Sequence, residues 1–93
     1  MLQNFEQIEK ERITALNFPP TDVLEDYDAI AQRQSELQRA LSLGNLEHSK
    51  IRIYFEDSES KKVVETTVWG VTDNRVILKQ GVNIPINRIY KSY

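Results

Sequence analysis

The stretch that decides the fold of this chain is Val63-Val64-Glu65-Thr66-Thr67-Val68-Trp69-Gly70-Val71, which is continued by Val76-Ile77-Leu78 and by Ile84-Pro85-Ile86. These three segments are rich in β-branched residues, and the first contains the only tryptophan of the chain. Residues of this kind favour pleated strands. The turn-forming pairs Asp73-Asn74 and Gln80-Gly81 separate the segments, so the sequence predicts consecutive antiparallel strands joined by hairpins.

Five short strands are predicted in the C-terminal half, at residues 50–55, 62–71, 75–79, 82–86 and 89–93. In the first of them, Ile51, Ile53 and Phe55 alternate with more polar neighbours, which indicates one buried and one wet face. Gly70 lies inside the longest strand, where a sharp bend explains a glycine better than a ligand contact does. Pro85 cannot donate a hydrogen bond, which assigns the fourth strand to a sheet edge or a strand end.

The hairpin between the third and fourth strands has two possible registers. A two-residue loop would pair Ile77 with Ile84, whereas a loop one residue longer would pair Leu78 with Ile84. A shift of one residue moves every side chain to the other face of the sheet. The longer loop is preferred because it buries four apolar side chains together, namely Val76, Leu78, Ile84 and Ile86.

Residues 1–44 are predicted to form an antiparallel helical hairpin. The first helix covers residues 4–16 and stops before Pro19-Pro20, because proline lacks an N–H and disfavours α geometry in the residue before it. Thr21 or Asp22 then caps a second, amphipathic helix of about twenty residues. This helix is expected to end at Gly44, since glycine suits the left-handed conformation just past a helix C-terminus.

These elements predict a single α+β domain that covers residues 1–93. The helical hairpin, residues 1–44, would pack on a five-stranded antiparallel small β-barrel or strongly bent sheet, residues 45–93. A sheet that is apolar on both faces needs two covers. Closure on itself supplies one cover, and the long second helix supplies the other.

The segment Leu78-Lys79-Gln80-Gly81-Val82-Asn83-Ile84-Pro85-Ile86 resembles the turn of Sm-like proteins in which branched apolar residues flank an arginine-glycine pair. Gln80 stands here where those proteins have the arginine, and no Asp-x-x-Met-Asn motif precedes it. The sheet after the helices resembles the SH3-like and Sm-like small barrels. The whole chain resembles small uncharacterised bacterial proteins that pair a helical hairpin with such a sheet. These resemblances imply a fold and no activity.

The composition argues against most enzyme classes. The chain has no cysteine, one histidine and three isolated glycines, so it offers neither a thiolate metal site nor a phosphate-binding glycine loop. His48 is expected to be a loop residue, because its immediate neighbours Glu47 and Ser49 cannot normally form a triad with it. Four acidic residues lie where the second helix is predicted to begin, namely Asp22, Glu25, Asp26 and Asp28. Their attraction to the positive end of the helix dipole explains them more simply than a cation site does. We therefore expect no enzymatic activity, no cofactor and no metal.

The two halves of the chain carry opposite charge. Residues 1–47 contain nine acidic and four basic residues, a net charge of −5, and residues 48–93 contain five acidic and eight basic residues, a net charge of +3. The simpler interpretation is that the halves pack on each other. The alternative interpretation is that the basic half binds a polyanion.

Two functional hypotheses follow. The first is a non-enzymatic binding or assembly module that acts through protein-protein contacts, with a protein partner or as a homo-oligomer, because strand edges are available for pairing. The second is binding of RNA or single-stranded nucleic acid by the basic edge of an Sm-like barrel. There, basic side chains would contact the phosphates and tyrosine rings would stack on the nucleobases. Its candidate residues are Arg75, Lys79, Arg88, Lys91, Tyr90 and Tyr93.

Two further expectations concern Trp69 and location. Trp69 is expected in the core, as a large aromatic residue on the central strand.

No apolar run approaches the roughly 20 residues that a membrane helix requires. The sequence therefore predicts a soluble, cytoplasmic protein without a membrane partner, and it indicates no small-molecule ligand.

Overall fold

A computed structural model describes residues 4–93, and within them one α-helix and seven β-strands form two sheets. Helix α1 covers Tyr27–Glu47. The strands are β1 (Glu6–Gln7), β2 (Ile51–Glu56), β3 (Lys61–Thr66), β4 (Val68–Val71), β5 (Arg75–Leu78), β6 (Asn83–Pro85) and β7 (Ile89–Ser92). The first sheet has the strand order β1-β3-β2-β7, and the second has the order β4-β5-β6. Short 3₁₀ turns occupy Lys10–Ala15, Lys79–Gly81 and Ile86–Arg88.

The predicted helical hairpin is wrong, because the first of its two helices does not form. Strand β1 instead pairs in parallel with β3, with Gln7 opposite Val63, and the Ile8 N–H donates to the Val63 carbonyl at 3.0 Å. The 3₁₀ turn Lys10–Ala15 follows and buries Ile13. The predicted helix over residues 4–16 would be only marginally stable on its own. The extended segment instead forms backbone hydrogen bonds with the free edge of β3.

The predicted closed barrel is also wrong, because the long strand at residues 62–71 breaks at Thr67 into two strands that belong to different sheets. Pairing with β2 ends at Thr66, which lies opposite Ile51. The Thr67 carbonyl then accepts from Lys79 N–H at 3.0 Å, so the chain changes partner from β2 to β5 at this residue. The result is two separate sheets of four and three strands.

Helix α1 begins and ends later than the sequence predicts. Its N-cap is Asp26, whose carboxylate accepts from the Ala29 N–H at 3.0 Å. The carboxylate of Asp22 is engaged by the Arg33 guanidinium instead. The helix ends at His48, which takes the left-handed conformation with φ 56°.

Gly44 is therefore an internal helix residue, and its role is close packing rather than termination. It is buried against β4, where a Cβ atom would overlap the Val68 carbonyl oxygen. Helix α1 also packs on β7. The absence of a side chain at Gly44 thus allows the helix backbone to approach β4 closely enough to cover both sheets.

The apolar core draws on both sheets, on helix α1 and on the N-terminal segment. Its members are Ile8, Ile13, Leu37, Ala40, Ile51, Ile53, Phe55, Val64, Val68, Val76, Leu78, Ile84, Ile86 and Ile89. The four residues predicted to be buried together at the β5–β6 hairpin are all in this set.

The register of that hairpin differs from both predicted alternatives, since Val76 lies opposite Ile84. The loop Lys79–Gly81 has Gln80 at φ 69° and Gly81 at φ 86°. The observed register is two residues away from the preferred one, and such a shift leaves every side chain on its original face.

Trp69 is not a core residue: 52% of it is exposed. The pairing of β4 with β5 shifts between Val68 and Gly70. The preceding residue, Val68, is fully buried, so alternation along β4 turns Trp69 to the opposite, exposed face.

A buried ion pair orders the turn between β2 and β3. The Lys62 ammonium donates to the Asp57 carboxylate at 3.0 Å, and both side chains are buried. Asp57 also accepts from the backbone N–H groups of Glu59 and Ser60. Burial by itself raises the pKa of Asp57, but the hydrogen bonds from Ser60, Lys62 and Glu59 outweigh it, so the pKa lies below its usual value.

We predict that Gly44→Ala lowers the free energy of unfolding by roughly 1–3 kcal/mol, because the new methyl group overlaps a backbone carbonyl that cannot move alone. The gain in helix propensity of about 1 kcal/mol opposes this loss and does not cancel it. Urea denaturation measures the difference. The matched control is Gly70→Ala, whose Cβ would make ordinary contacts of 3.6 and 3.7 Å with Ile77. Equal midpoints for the two variants would contradict the packing argument.

We predict that Asp57→Asn lowers the free energy of unfolding at neutral pH by about 1–3 kcal/mol, because a buried charged hydrogen-bond network loses its anion. The pKa of Asp57 is lowered on folding, so its contribution is complete above the ordinary aspartate pKa and disappears as the pH falls through the folded value. Denaturation as a function of pH should therefore show a smaller loss of stability below about pH 4 in the variant. Glu59→Gln, at an exposed residue of the same turn, is the control; parallel pH curves for Asp57→Asn and the wild type would refute the assignment.

Candidate functional site

The six residues predicted to bind nucleic acid do not form one surface. Arg88 lies in the interior, where its Nε donates to the Glu56 carbonyl at 3.0 Å. Its Nη1 donates to the Thr21 carbonyl at 2.8 Å. Arg88 therefore connects the linker before α1 to the end of β2, which is a structural role.

Arg75 and Lys79 belong to the second sheet and its hairpin. Arg75 is exposed at the start of β5 and donates to the Asn83 side-chain oxygen at 2.9 Å. Lys79 is exposed in the loop after β5 and lines a cavity with three carboxylates, those of Glu9, Glu11 and Glu65. Neither residue shares a sheet with β7.

Tyr90, Lys91 and Tyr93 do come together, at strand β7 of the first sheet and the residue after it. The Tyr93 ring stacks on Tyr54, with centroids 5.6 Å apart and an interplanar angle of 28°. Phe5 meets Tyr54 and Tyr90 edge-on, at centroid distances of 5.2 and 5.7 Å. We call this surface of the first sheet the aromatic face, and its members are Phe5, Arg52, Tyr54, Lys61, Tyr90, Lys91 and Tyr93.

The alternation of β2 creates the aromatic face. Ile53 and Phe55 point into the core, so Arg52 and Tyr54 point away from it. Tyr54 lies opposite Val63 of β3 on one side and opposite Lys91 of β7 on the other.

A bulge in β7 completes the arrangement. Tyr54 pairs with Lys91, whereas the next residue, Phe55, pairs with Ile89. Tyr90 is therefore the extra residue of β7 at this point, and such an insertion redirects a side chain relative to the regular alternation.

Cations lie over the rings of the aromatic face. The Lys61 ammonium is 5.8 Å from the centroid of Phe5 and 5.5 Å from that of Tyr90. The Lys91 ammonium is 5.5 Å from the centroid of Tyr93. These distances permit cation–π attraction, which orients the lysine side chains and the rings relative to one another.

One hydrogen bond anchors the face at Tyr90, whose hydroxyl donates to the Glu56 carboxylate. Burial, reinforced by this bond to an anion, raises the pKa of Tyr90 to about 12. At the opposite side of the face, Tyr93 remains 58% exposed. Next to Tyr54, a shallow cavity of about 160 Å³ is lined by Arg52, Val63 and their neighbours.

Sequence reasoning found Tyr90, Lys91 and Tyr93 but missed Phe5, Arg52, Tyr54 and Lys61. The alternation of residues 50–55 already turned Arg52 and Tyr54 to the wet face, so this signal was available. Phe5 could not be found, because its position depends on the parallel pairing of β1 with β3. That pairing joins segments more than fifty residues apart and has no local signature.

Between Asn4 and Tyr93, no group of three or more histidine, cysteine, aspartate or glutamate side chains is arranged to hold a metal ion. No helix within the same residues combines the length and the apolar character that a membrane span requires.

Comparison of the chain with models of known protein families, with curated proteins and with solved structures finds no match. No relative therefore contributes to the argument on function.

We predict that Tyr90→Phe removes the step near pH 12 from the tyrosine absorbance titration, because burial and the bond to Glu56 raise the pKa of Tyr90 to about 12 in the folded protein. The folded pKa lies above the ordinary value of 10.0, so the stability that this hydroxyl contributes is complete below pH 10.0 and is lost as the pH rises through the folded value. Tyr27→Phe, at a tyrosine that is 82% exposed, is the control and should leave the step near pH 12 in place. An unchanged alkaline titration in Tyr90→Phe would show that the bond to Glu56 does not persist in solution.

Proposed function

We propose that the protein is a non-enzymatic binding module that docks on another protein through the aromatic face. The observation that carries this proposal is the grouping of four aromatic rings on the solvent side of the first sheet, with Tyr93 58% exposed. Three of the four tyrosines of the chain belong to this group. Tyr54 is buried among the other rings at 7% exposure, Tyr90 is half-buried, and Tyr93 is exposed.

The composition of the aromatic face is that of a protein-binding surface. Tyrosine, phenylalanine and arginine are enriched in protein interfaces relative to the rest of the surface, and tyrosine and arginine are frequent among residues that dominate binding energy. Arg52 lies beside the rings, in the cavity next to Tyr54. The two cations over the rings, Lys61 and Lys91, would contribute at the rim of such an interface.

The rings are also held in place before any partner binds. Tyr54 is in contact with Phe5 and Tyr93, and Tyr90 is fixed by Glu56. A surface whose side chains are already ordered loses less conformational entropy on association. This favours binding by the side chains of the face over binding that requires a disordered segment to fold.

Strand addition at the sheet edges, which the sequence had favoured, receives less support. On β7, Arg33 donates to the Ile89 carbonyl and Glu36 accepts from the Ser92 N–H, both at 3.0 Å. On β6, Pro85 has no N–H to offer. Two of the exposed edges are thus unsuited to accept a strand from another chain.

Nucleic-acid binding is the second candidate, because Tyr90, Lys91 and Tyr93 do share a surface with Arg52 and Lys61. Stacking on tyrosine together with contacts from cations is how single strands are bound without sequence preference. The carboxylates of Glu56 and Glu65 lie beside the same rings, and they would repel a phosphate backbone. A protein partner tolerates this mixture of charges better than a polyanion does.

We predict that Tyr93→Ala abolishes partner capture without unfolding the domain, because it removes the most exposed ring of the face and leaves the core intact. Immobilised wild type, Tyr93→Ala and the control Tyr27→Ala would be used to capture protein and nucleic acid from the native cell. A protein retained by the wild type and by Tyr27→Ala but lost by Tyr93→Ala supports the proposal. With that protein purified, Tyr93→Ala should weaken the affinity by about 30-fold, the effect of losing one dominant interface residue.

Three results would count against this assignment. Capture of the same proteins by all three baits would show that the aromatic face is not used. Retention of RNA or single-stranded DNA that falls steeply with salt and is lost in Tyr93→Ala would favour the second candidate. If light scattering instead shows concentration-dependent association of the wild type that Tyr93→Ala abolishes, the partner is a second copy of this chain.

A further inference from the structure

A groove separate from the aromatic face runs between the linker before α1 and the second sheet. It consists of two adjoining cavities of about 500 and 450 Å³. Phe18, Arg75 and Pro85 line both cavities, so they lie where the two join. Each volume falls in the range of ligand-binding sites, and together they form an elongated depression rather than a single pocket.

The wall formed by the linker is fixed by hydrogen bonds to the core. The Asn87 side chain donates to the Pro20 carbonyl at 2.5 Å, and the Val23 N–H donates to the Asn87 carbonyl at 2.9 Å. Arg33 holds Asp22 through two bonds of 2.8 and 2.9 Å. The groove therefore exists before any ligand binds, and it does not depend on movement of the linker.

Among the residues that the structure describes, Arg75 is the cation of the groove that no carboxylate pairs with. Arg33 also lines the larger cavity, but its charge is neutralised by Asp22. Arg75 is exposed, its guanidinium donates to the neutral Asn83 side chain, and between Asn4 and Tyr93 no carboxylate lies within ion-pair distance of it. A planar guanidinium in this setting favours a carboxylate, which it can bind through two parallel hydrogen bonds.

We infer that this groove binds an extended peptide that carries an internal acidic side chain flanked by apolar residues. The acidic side chain binds Arg75 at the junction. One flanking side chain packs in the larger cavity beside Pro20 and Ile86, and the other packs in the smaller cavity beside Leu16 and Val82. Arg75 lies at the junction of the two cavities, so the peptide continues in both directions from the carboxylate. A C-terminal carboxylate at the same position would leave one cavity empty.

Asp73 provides an internal test of the charge argument, because it lines the larger cavity together with Arg75. Its carboxylate, two residues from Arg75 in the same turn, repels an acidic ligand. Removal of that charge should therefore strengthen binding, while removal of the charge on Arg75 should weaken it. A groove that bound peptides by apolar contacts alone would respond to neither change.

The probes are two blocked peptides, acetyl-Leu-Ala-Glu-Ala-Leu-amide and the same peptide with glutamine in place of glutamate. NMR titration of the full-length protein is expected to show saturable shifts at residues of the groove with the glutamate peptide, and at least a tenfold weaker affinity for the glutamine peptide, about the value of one charged contact. Arg75→Gln should reduce the affinity for the glutamate peptide to that for the glutamine peptide. Asp73→Asn should increase it about threefold. The control Arg39→Gln, at an exposed arginine of α1 that lines a different cavity, should change nothing.

Equal affinities of the wild type for the two peptides would overturn the inference. A preference for glutamate that survives in Arg75→Gln would do the same, and so would shifts confined to the aromatic face. The amide spectrum of Arg75→Gln, compared with that of the wild type, establishes that the variant is folded. Because the probes and variants do not touch the aromatic face, failure here leaves the proposed protein-docking function standing, and failure of that function leaves this groove unaffected.

Discussion

Two buried guanidinium groups hold the extended linker before α1 against the first sheet. Arg33, from the helix, donates from both terminal nitrogens to the Asp22 carboxylate, and Nη1 also donates to the Ile89 carbonyl. Arg88, from the other side, donates to Thr21 and to the Glu56 carbonyl. Phe18 packs against the core at the start of the linker, and the charged bonds hold its later part, at Thr21 and Asp22, just before α1. The position of the helix, the closed edge of β7 and one wall of the groove all depend on them.

This arrangement resolves a difficulty that small two-sheet domains face, which is the open edges of short sheets. A helix that only covered the core would leave the outer N–H and C=O groups of β7 exposed. Here Arg33 and Glu36, one turn apart on α1, bind one carbonyl and one N–H of β7. Pro85 removes a donor from β6. With these edges protected, the surface that remains for recognition is made of side chains.

The sequence predicted the elements whose signals are local. The alternation in β2, the turns after β4 and β5, the middle of α1 and the four residues buried at the β5–β6 hairpin are all where periodicity and turn chemistry put them. The failures share a different cause. The first helix was replaced by β1 because β3 offered a free edge, and the strand at residues 62–71 was broken because Thr67 found a partner in Lys79. Gly44 carried a helix-stop signal that close packing on β4 overrode.

The candidate surfaces divide in the same way. Tyr90, Lys91 and Tyr93 could be grouped from their closeness in sequence, and Arg52 and Tyr54 from the alternation of β2. The buried position of Arg88 could not be foreseen, because it depends on the linker folding back over Ile86–Arg88. The groove could not be predicted either, because its two walls are formed by segments about sixty residues apart in the sequence.

The stacking of Phe5, Tyr54 and Tyr93 has a practical consequence. Phe5 and Tyr93 both contact Tyr54, so the two ends of the described chain emerge beside the same patch of the first sheet. A label, purification handle or fused domain attached directly after Tyr93 is therefore delivered next to the aromatic face. An attachment in the turn at Asp73-Asn74, which belongs to the other sheet, would leave the aromatic face clear but would stand at the groove, which both residues line.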